Sequence, residues 1–502
     1  MSTTGWINRI GDWNPQFLRE CRGHLRPRSV IAAVGSSLVL QVLIFLPLLR
    51  PTATMTAADH WLVVCQLLTW TIPYFLLVVG GYYLVNDLAQ EEKRGTLNFI
   101  RLSPRPAGGI LLGKLLGVPI LPYLIVLSLV PLHLWSMVQG GLSVTFFFSY
   151  YSLLVATAFV CFSLALLMGV TSQLRPQQTP VAIAFAGLGL FLFAPGFMVW
   201  NISTSWRRIG NISELFSNDP MFSSVSWLYT SLTTDIIWAH GFTLVNLAIL
   251  ARLVWSMLER LFHQPRTTLL SKRFSYLLTA YLNIVVWGFS QHDTAKSWTV
   301  SETFAVLYLM NFGLIILLML ALTPHRQQLF DWLNYPRTGM AARLWADKSP
   351  TVTAVGVNIL IVCLLLVPTS VVAAQGVLPL AYLLLMPLSV ALSWLIYATV
   401  TQLIFTTRVR TPALWAMGTV IMLIVVPLIV LALLQTGDPP VPMWMTLRTL
   451  LGYPFYEYPQ SGYLGAVLAG VGLQALILIG LLVLLQRRLS KLRRSVQLEG
   501  AS

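Results

Sequence analysis

Charge is what this sequence has least of. Only 10 % of its 502 residues are charged, against roughly a quarter in an ordinary soluble protein. Acidic residues are scarcer than basic ones, 17 against 32. A chain of this length folded as several soluble domains could not cover its surface with so few charges. Cysteine is nearly missing. Of the four cysteines, Cys65, Cys161 and Cys363 lie in apolar runs and Cys21 in a basic leading segment, which excludes a disulfide framework and implies reduced thiols. The seven histidines are scattered without metal-ligand spacing, and no Ser-His-Asp or Cys-His arrangement stands out, so neither a metal site nor a catalytic site is expected. No small-residue cleavage site follows the first apolar run near Ser29, so a cleavable signal peptide is not expected.

What the sequence does have is apolar length. Hydrophobic residues make up 56 % of the chain and its mean hydropathy is +0.74, the composition of a polytopic membrane protein. The net charge of +15 invites a nucleic-acid reading until the basic residues are mapped. They fall in short connections between apolar runs, as membrane orientation requires, so no nucleic acid is expected as a partner. Twelve runs are long enough to span: 29–49, 61–86, 110–137, 145–171, 180–200, 235–257, 274–290, 303–323, 352–374, 377–404, 412–434 and 462–486. The run 274–290 is the weakest, being short and holding Asn283. With the N-terminus cytoplasmic, 27 of the basic residues fall inside and 5 outside, which places both termini in the cytoplasm.

The runs divide into two similar sets. Each set has two spans, a long basic loop (87–109 or 324–351), three spans, a long external segment (201–234 or 435–461) and a final span. An even number per set gives parallel halves. The expected organisation is a lead helix over 1–28, six-span halves over 29–257 and 274–486, a basic connection over 258–273 and a basic tail over 487–502. In the lead, Asn14 can cap a helix that Pro15 begins. Trp13, Phe17, Leu18, Cys21 and Leu25 then share one face, and Arg19, Arg22 and Arg26 the other. That is an interfacial helix with arginines directed at anionic headgroups. The external segments carry apolar residues such as Trp227 and Leu228, or Met443, Trp444 and Met445, and are expected to re-enter the membrane in part.

The first long loop reads Asp87-Leu88-Ala89-Gln90-Glu91-Glu92-Lys93-Arg94-Gly95-Thr96-Leu97-Asn98-Phe99-Ile100-Arg101-Leu102-Ser103-Pro104. Gly95 should break the helix descending from the second span, Thr96 should cap a short new one, and Ser103-Pro104 should stop it. Leu97, Phe99, Ile100 and Leu102 make such a helix apolar on one side, a knob suited to a groove on a soluble partner.

This segment resembles the membrane permease of type 2 ATP-binding-cassette (ABC) exporters. The matching residues are Glu91-Glu92-Lys93-Arg94-Gly95-Thr96-Leu97, Leu102-Ser103-Pro104 and Gly113-Lys114-Leu115, with Asn14-Pro15 and Arg19-Glu20-Cys21-Arg22 in the lead. The likeness is specific over about residues 12–120 and rests on topology beyond. It implies an all-α permease with a short coupling helix, re-entrant external segments and a bacterial inner-membrane location. It also implies cytoplasmic ABC ATPase subunits as partners, which hold ATP and Mg while this chain binds no cofactor. By the resemblance, Glu91, Glu92, Lys93, Arg94, Gly95, Thr96, Leu97, Phe99, Ile100 and Leu102 couple to that ATPase, and substrate moves outward by alternating access. The sequence departs from the pattern at Asn98, where an acidic residue is common. It departs again in the second loop, which offers Asp331-Trp332-Leu333 and Leu344-Trp345-Ala346-Asp347-Lys348 instead.

Gly108 followed by Gly113-Lys114 imitates a phosphate loop, but Leu115 stands where Ser or Thr would hold Mg²⁺ and no strand precedes it. The triplets at Asn201 and Asn211 match glycosylation acceptors but occur readily by chance. The rival reading is an ion-coupled secondary transporter of twelve spans in parallel halves. It would need ionisable groups inside the spans. His133, Asp235, His240 and Arg252 lie toward span ends and no carboxylate occupies a span centre, so ATP driving is the stronger expectation. The apolar, aromatic spans suggest an amphipathic or lipid-like substrate.

Overall fold

The computed structural model describes residues 11–46, 56–142, 144–171, 226–228, 230–231, 236–264, 267–290, 300–324, 326–334, 344–373, 380–407, 409, 412–435, 441–452 and 463–499. Among them the chain is almost wholly helical, and the only strands are two-residue segments at Ser226–Trp227 and Thr230–Ser231. Among the described residues nine helices are long and apolar enough to cross a bilayer, the character of an all-α integral membrane protein. The expected span 180–200 lies outside the described residues. The runs 274–290 and 303–323 are helical but not among the nine.

The chain separates into two compact units. Unit 1 comprises Met1–Ser226 and Thr230–Pro265, and unit 2 comprises Trp227–Tyr229 and Arg266–Ser502. In unit 1 the helices are α1 (Pro15–His24), α2 (Pro27–Phe45), α3 (Ala57–Pro73), α4 (Gly80–Lys93), α5 (Thr96–Arg101), α6 (Ala107–Gly117), α7 (Ile120–Gln139), α8 (Val144–Thr171) and α9 (Ile236–His263). Helix α8 is the centre: 67 % of its most apolar stretch is buried, against 17 % for α2 at the periphery. Helix starts follow local chemistry. Asn14 Oδ1 accepts from Phe17 N at 3.0 Å and Pro15 takes the first position of α1. Thr56 and Asp59 form a reciprocal capping box at α3.

The second expected span proves to be one long rod in three parts. Helix α3 passes at Pro73 into a π-helical turn, Tyr74–Val79, and continues as α4 to Lys93. The third expected span, 110–137, is instead interrupted. Pro119 has no N–H to donate and leaves helical geometry, so α6 ends at Gly117 and α7 begins at Ile120.

Unit 2 holds α10 (Lys272–Ser290), α11 (Val300–Leu322), α12 (Arg326–Asn334), α13 (Thr351–Ala373), α14 (Leu380–Phe405), α15 (Pro412–Gln435), α16 (Val441–Leu450) and α17 (Leu464–Glu499). Polar side chains join three of these helices. Asn283 and Asn311 exchange amide bonds at 2.9 and 2.8 Å, while Thr279 donates to Asn358 at 2.7 Å and Asn358 to Ser275 at 3.1 Å. All five residues are fully or almost fully buried. The polar face that made 274–290 a weak span is therefore the seam of α10 with α11 and α13. Helix α17 runs on as far as Glu499, so the expected tail is helical through its described part.

Candidate functional site

The loop end of unit 1 is built on one buried ammonium group. Lys114 Nζ lies 2.6 Å from Asp87 Oδ2, 2.8 Å from Glu91 Oε2 and 3.4 Å from Glu20 Oε1. Arg19 reaches Glu91 Oε1 at 2.6 Å from the more exposed side. Glu20 comes from α1, Asp87 and Glu91 from α4, and Lys114 from α6, so three elements meet at one charge cluster. Three carboxylates face two cations. Burial, reinforced by the neighbouring Asp87 and Glu91 and opposed by Lys114 and Arg19, raises the Glu20 carboxyl above its ordinary range.

Glycine makes the meeting possible. A Cβ on Gly113 would lie 2.6 Å from Asn14 Oδ1, and one on Gly117 2.6 Å from Glu20 Cβ. These two positions, one turn apart on α6, let α1 lie directly on its backbone. Asn14 completes the joint by donating from Nδ2 to Gly109 O at 2.7 Å. One side of the lead helix therefore packs against protein. Glu20 and Asn14 turn inward, while Arg22, Arg26 and Trp13 are exposed and Phe17 is partly buried. Lys114 is likewise no phosphate-loop lysine, because its three acidic partners occupy the ammonium within a helix.

Helix α5 stands beside this cluster. Gly95 adopts φ +72°, the left-handed turn that ends α4. Thr96 does not cap α5 as expected; its hydroxyl donates back to Glu91 O at 3.2 Å and ties the new helix to the cluster. The helix stops at Arg101, whose guanidinium lies 5.8 Å over the Phe262 ring of α9. The four apolar residues divide. Leu97 and Ile100 are buried at 1 % and 7 % exposure, while Phe99 and Leu102 stand out at 80 % and 85 %. Lys93, Arg94, Gly95 and Thr96 are exposed around them. The side chain of Glu92 lies outside the described residues.

A second constellation sits at the bend of the α3–α4 rod. Pro73 has no N–H, so the carbonyl of Thr69 lacks its helical donor, and Tyr150 of α8 supplies one through its hydroxyl at 3.0 Å. The Thr69 hydroxyl donates to Cys65 O at 2.8 Å, which leaves its oxygen to accept from His133 Nε2 at 3.2 Å. The Tyr151 hydroxyl lies 3.0 Å from His133 Nδ1, so both ring nitrogens have partners and Nε2 carries a proton. His133 lies six residues from the end of α7, about 9 Å along its axis, and is fully buried. Sequence reading placed it near a span end and missed the network. The only signal for it was Pro73 in a span that also carries Thr69.

In unit 2, α16 runs beside the start of α17. Thr446 Oγ1 donates to Ala466 O at 3.2 Å, and Gln474 Nε2 donates toward Thr449 O at 2.7 Å and Ser393 Oγ at 2.8 Å. Gln474 is ten residues past Leu464, about 15 Å down α17. The carbonyl end of α16 thus lies deep beside that helix and its orphan acceptors meet a buried amide. The second loop is held differently from the first. Lys272 is fully buried, donating to Ser349 O at 3.1 Å, and its backbone N–H meets Asp347 Oδ1 at 3.0 Å. Lys348 and Asp331 pair at 3.0 Å on the surface.

The chain matches no protein-family model, no curated protein and no solved structure.

Proposed function

We propose that this chain is the membrane-spanning permease of an ATP-driven ABC exporter, with ATP hydrolysed on separate cytoplasmic subunits. The observation that carries the reading is helix α5, where Phe99 and, just past the helix end, Leu102 stand at 80 % and 85 % exposure while Leu97 and Ile100 anchor it. Exposed large apolar side chains on a propped, turn-bounded helix favour a protein groove. Behind α5, the Lys114 cluster links the knob to α1, α4 and α6, so a push on the loop has a stiff route to the α3–α4 rod. In this reading the protein has twelve spans in two parallel halves with both termini in the cytoplasm. It sits in the plasma membrane and moves an amphipathic or lipid-like substrate outward by alternating access. The depth of α16 beside α17 supports partial re-entry of the segment 435–461. The dissimilar second loop supports unequal ATPase contacts in the two halves.

The test is co-purification from mild detergent. The tagged chain is expected to bring down a cassette ATPase in stoichiometric amount, and Phe99→Asp with Leu102→Asp to lose at least about 90 % of it, the effect of about 1.4 kcal/mol or more. Thermal stability should stay unchanged, since both residues are exposed. Recovery of the chain alone, or undiminished capture by the variant, would overturn the proposal. One observation favours a proton-coupled secondary transporter as the second reading: the buried His133 network, an ionisable group inside a span. Uptake driven by a proton gradient and abolished by His133→Gln would decide for it.

A further inference from the structure

Helix α1 and the start of α2 carry more positive charge than the protein uses. Of the arginines from Pro15 to Arg28, only Arg19 is spent inward, on Glu91. Arg22, Arg26 and Arg28 are exposed and have no carboxylate partner among the described residues. The nearby acid Glu20 is buried and already committed to Lys114. The three free guanidiniums also sit at a definite level of the molecule. Immediately beyond them α2 begins its lipid-facing stripe, with Ile31 exposed by 71 %, Leu38 by 56 % and Val42 by 64 %. Trp13, 60 % exposed, stands at the other end of α1. Arginines at the foot of an apolar stripe are the pattern that meets phospholipid phosphates at a membrane surface.

We propose that Arg22, Arg26 and Arg28 form a binding site for the headgroup of an anionic phospholipid. Guanidinium forks match phosphate oxygens in pairs, and three uncompensated cations favour a lipid with net negative charge over a zwitterionic one. Arg22 is carried on α1, which Glu20 and Asn14 clamp to α6, while Arg26 caps and Arg28 opens α2, so all three arginines stand on or beside ordered helix rather than on a mobile tail. This ordering lowers the entropic cost of binding. The site depends on the membrane-protein fold and not on the exporter reading, so the two fail independently.

The test uses the full-length chain in phosphatidylcholine nanodiscs containing a photoactivatable phosphatidylglycerol probe, with mass spectrometry of the crosslinked peptides. Crosslinks are expected within residues 13–31, competed by unlabelled phosphatidylglycerol and weakened at high salt. Arg22→Gln with Arg26→Gln and Arg28→Gln should reduce them at least about fivefold, the effect of about one interfacial cation or more. The corresponding triple lysine variant should retain most of the signal. Size-exclusion behaviour should be unchanged, because neither Arg19 nor Glu20 is altered. Equal crosslinking by a phosphatidylcholine probe, or an unaffected glutamine variant, would overturn the proposal. Displacement by inorganic phosphate would assign the arginines to a soluble anion and overturn it as well.

Discussion

At the scale of single residues, Lys114 is the centre of unit 1. Its ammonium is fully buried and answers three carboxylates. Removing it leaves buried acid with only Arg19 to balance it, a change that costs about 3–5 kcal/mol. Glu20→Gln acts in the opposite direction, relieving the excess negative charge while keeping a hydrogen-bonding group. Lys114→Ala is therefore expected to lower the detergent Tm sharply and Glu20→Gln to change it little, as scanning fluorimetry can read. The raised Glu20 carboxyl also has a pH signature. Its folded value lies above the unfolded one near 4.5, so its contribution is complete below that pH and is lost as pH rises through the folded value. The Tm difference between wild type and Glu20→Gln should shift against the wild type over that window. A flat difference would show that Glu20 titrates normally in the cluster.

At the scale of elements, the α3–α4 rod is defined by its bend. Pro73 deprives Thr69 O of a donor, and Tyr150 repairs the loss from a neighbouring helix. Tyr150→Phe should leave that carbonyl unsatisfied in a buried site, at a cost of about 1–3 kcal/mol. Pro73→Ala restores the N–H and should make Tyr150→Phe far milder. A thermal-stability cycle of the two substitutions is thus expected to be strongly non-additive, and additivity would mean that the phenol serves some other group. The same logic explains α10. Asn283 weakens an isolated span, yet paired with Asn311 it holds that span to its neighbour.

At the scale of the whole molecule, the distribution of basic residues predicts cytoplasmic termini, an expectation that a single experiment can read. In a cysteine-free background, cysteines introduced at Arg22 and Ser490 should be labelled only from the cytoplasmic side, and one at Lys296 only from the outside. Labelling of Ser490 and Arg22 from opposite sides would require an odd number of spans.

Membrane character and most helix positions were legible in the sequence, because a bilayer demands long apolar runs and leaves few alternatives. So were Asn14 as a cap and Gly95 as a break, since both act through nearest neighbours along the chain. Residue partners distant in sequence were not legible. Lys114 finds Glu20 across 94 positions, Tyr150 finds Thr69 across 81, and Asn358 finds Thr279 across 79. Nor could periodicity divide the apolar residues in and just past α5, where Leu97 and Ile100 face protein and Phe99 and Leu102 do not. Local pattern states which groups are apolar or charged. Only packing decides which of them are buried, and burial is what turns a lysine into a keystone and a phenylalanine into a surface.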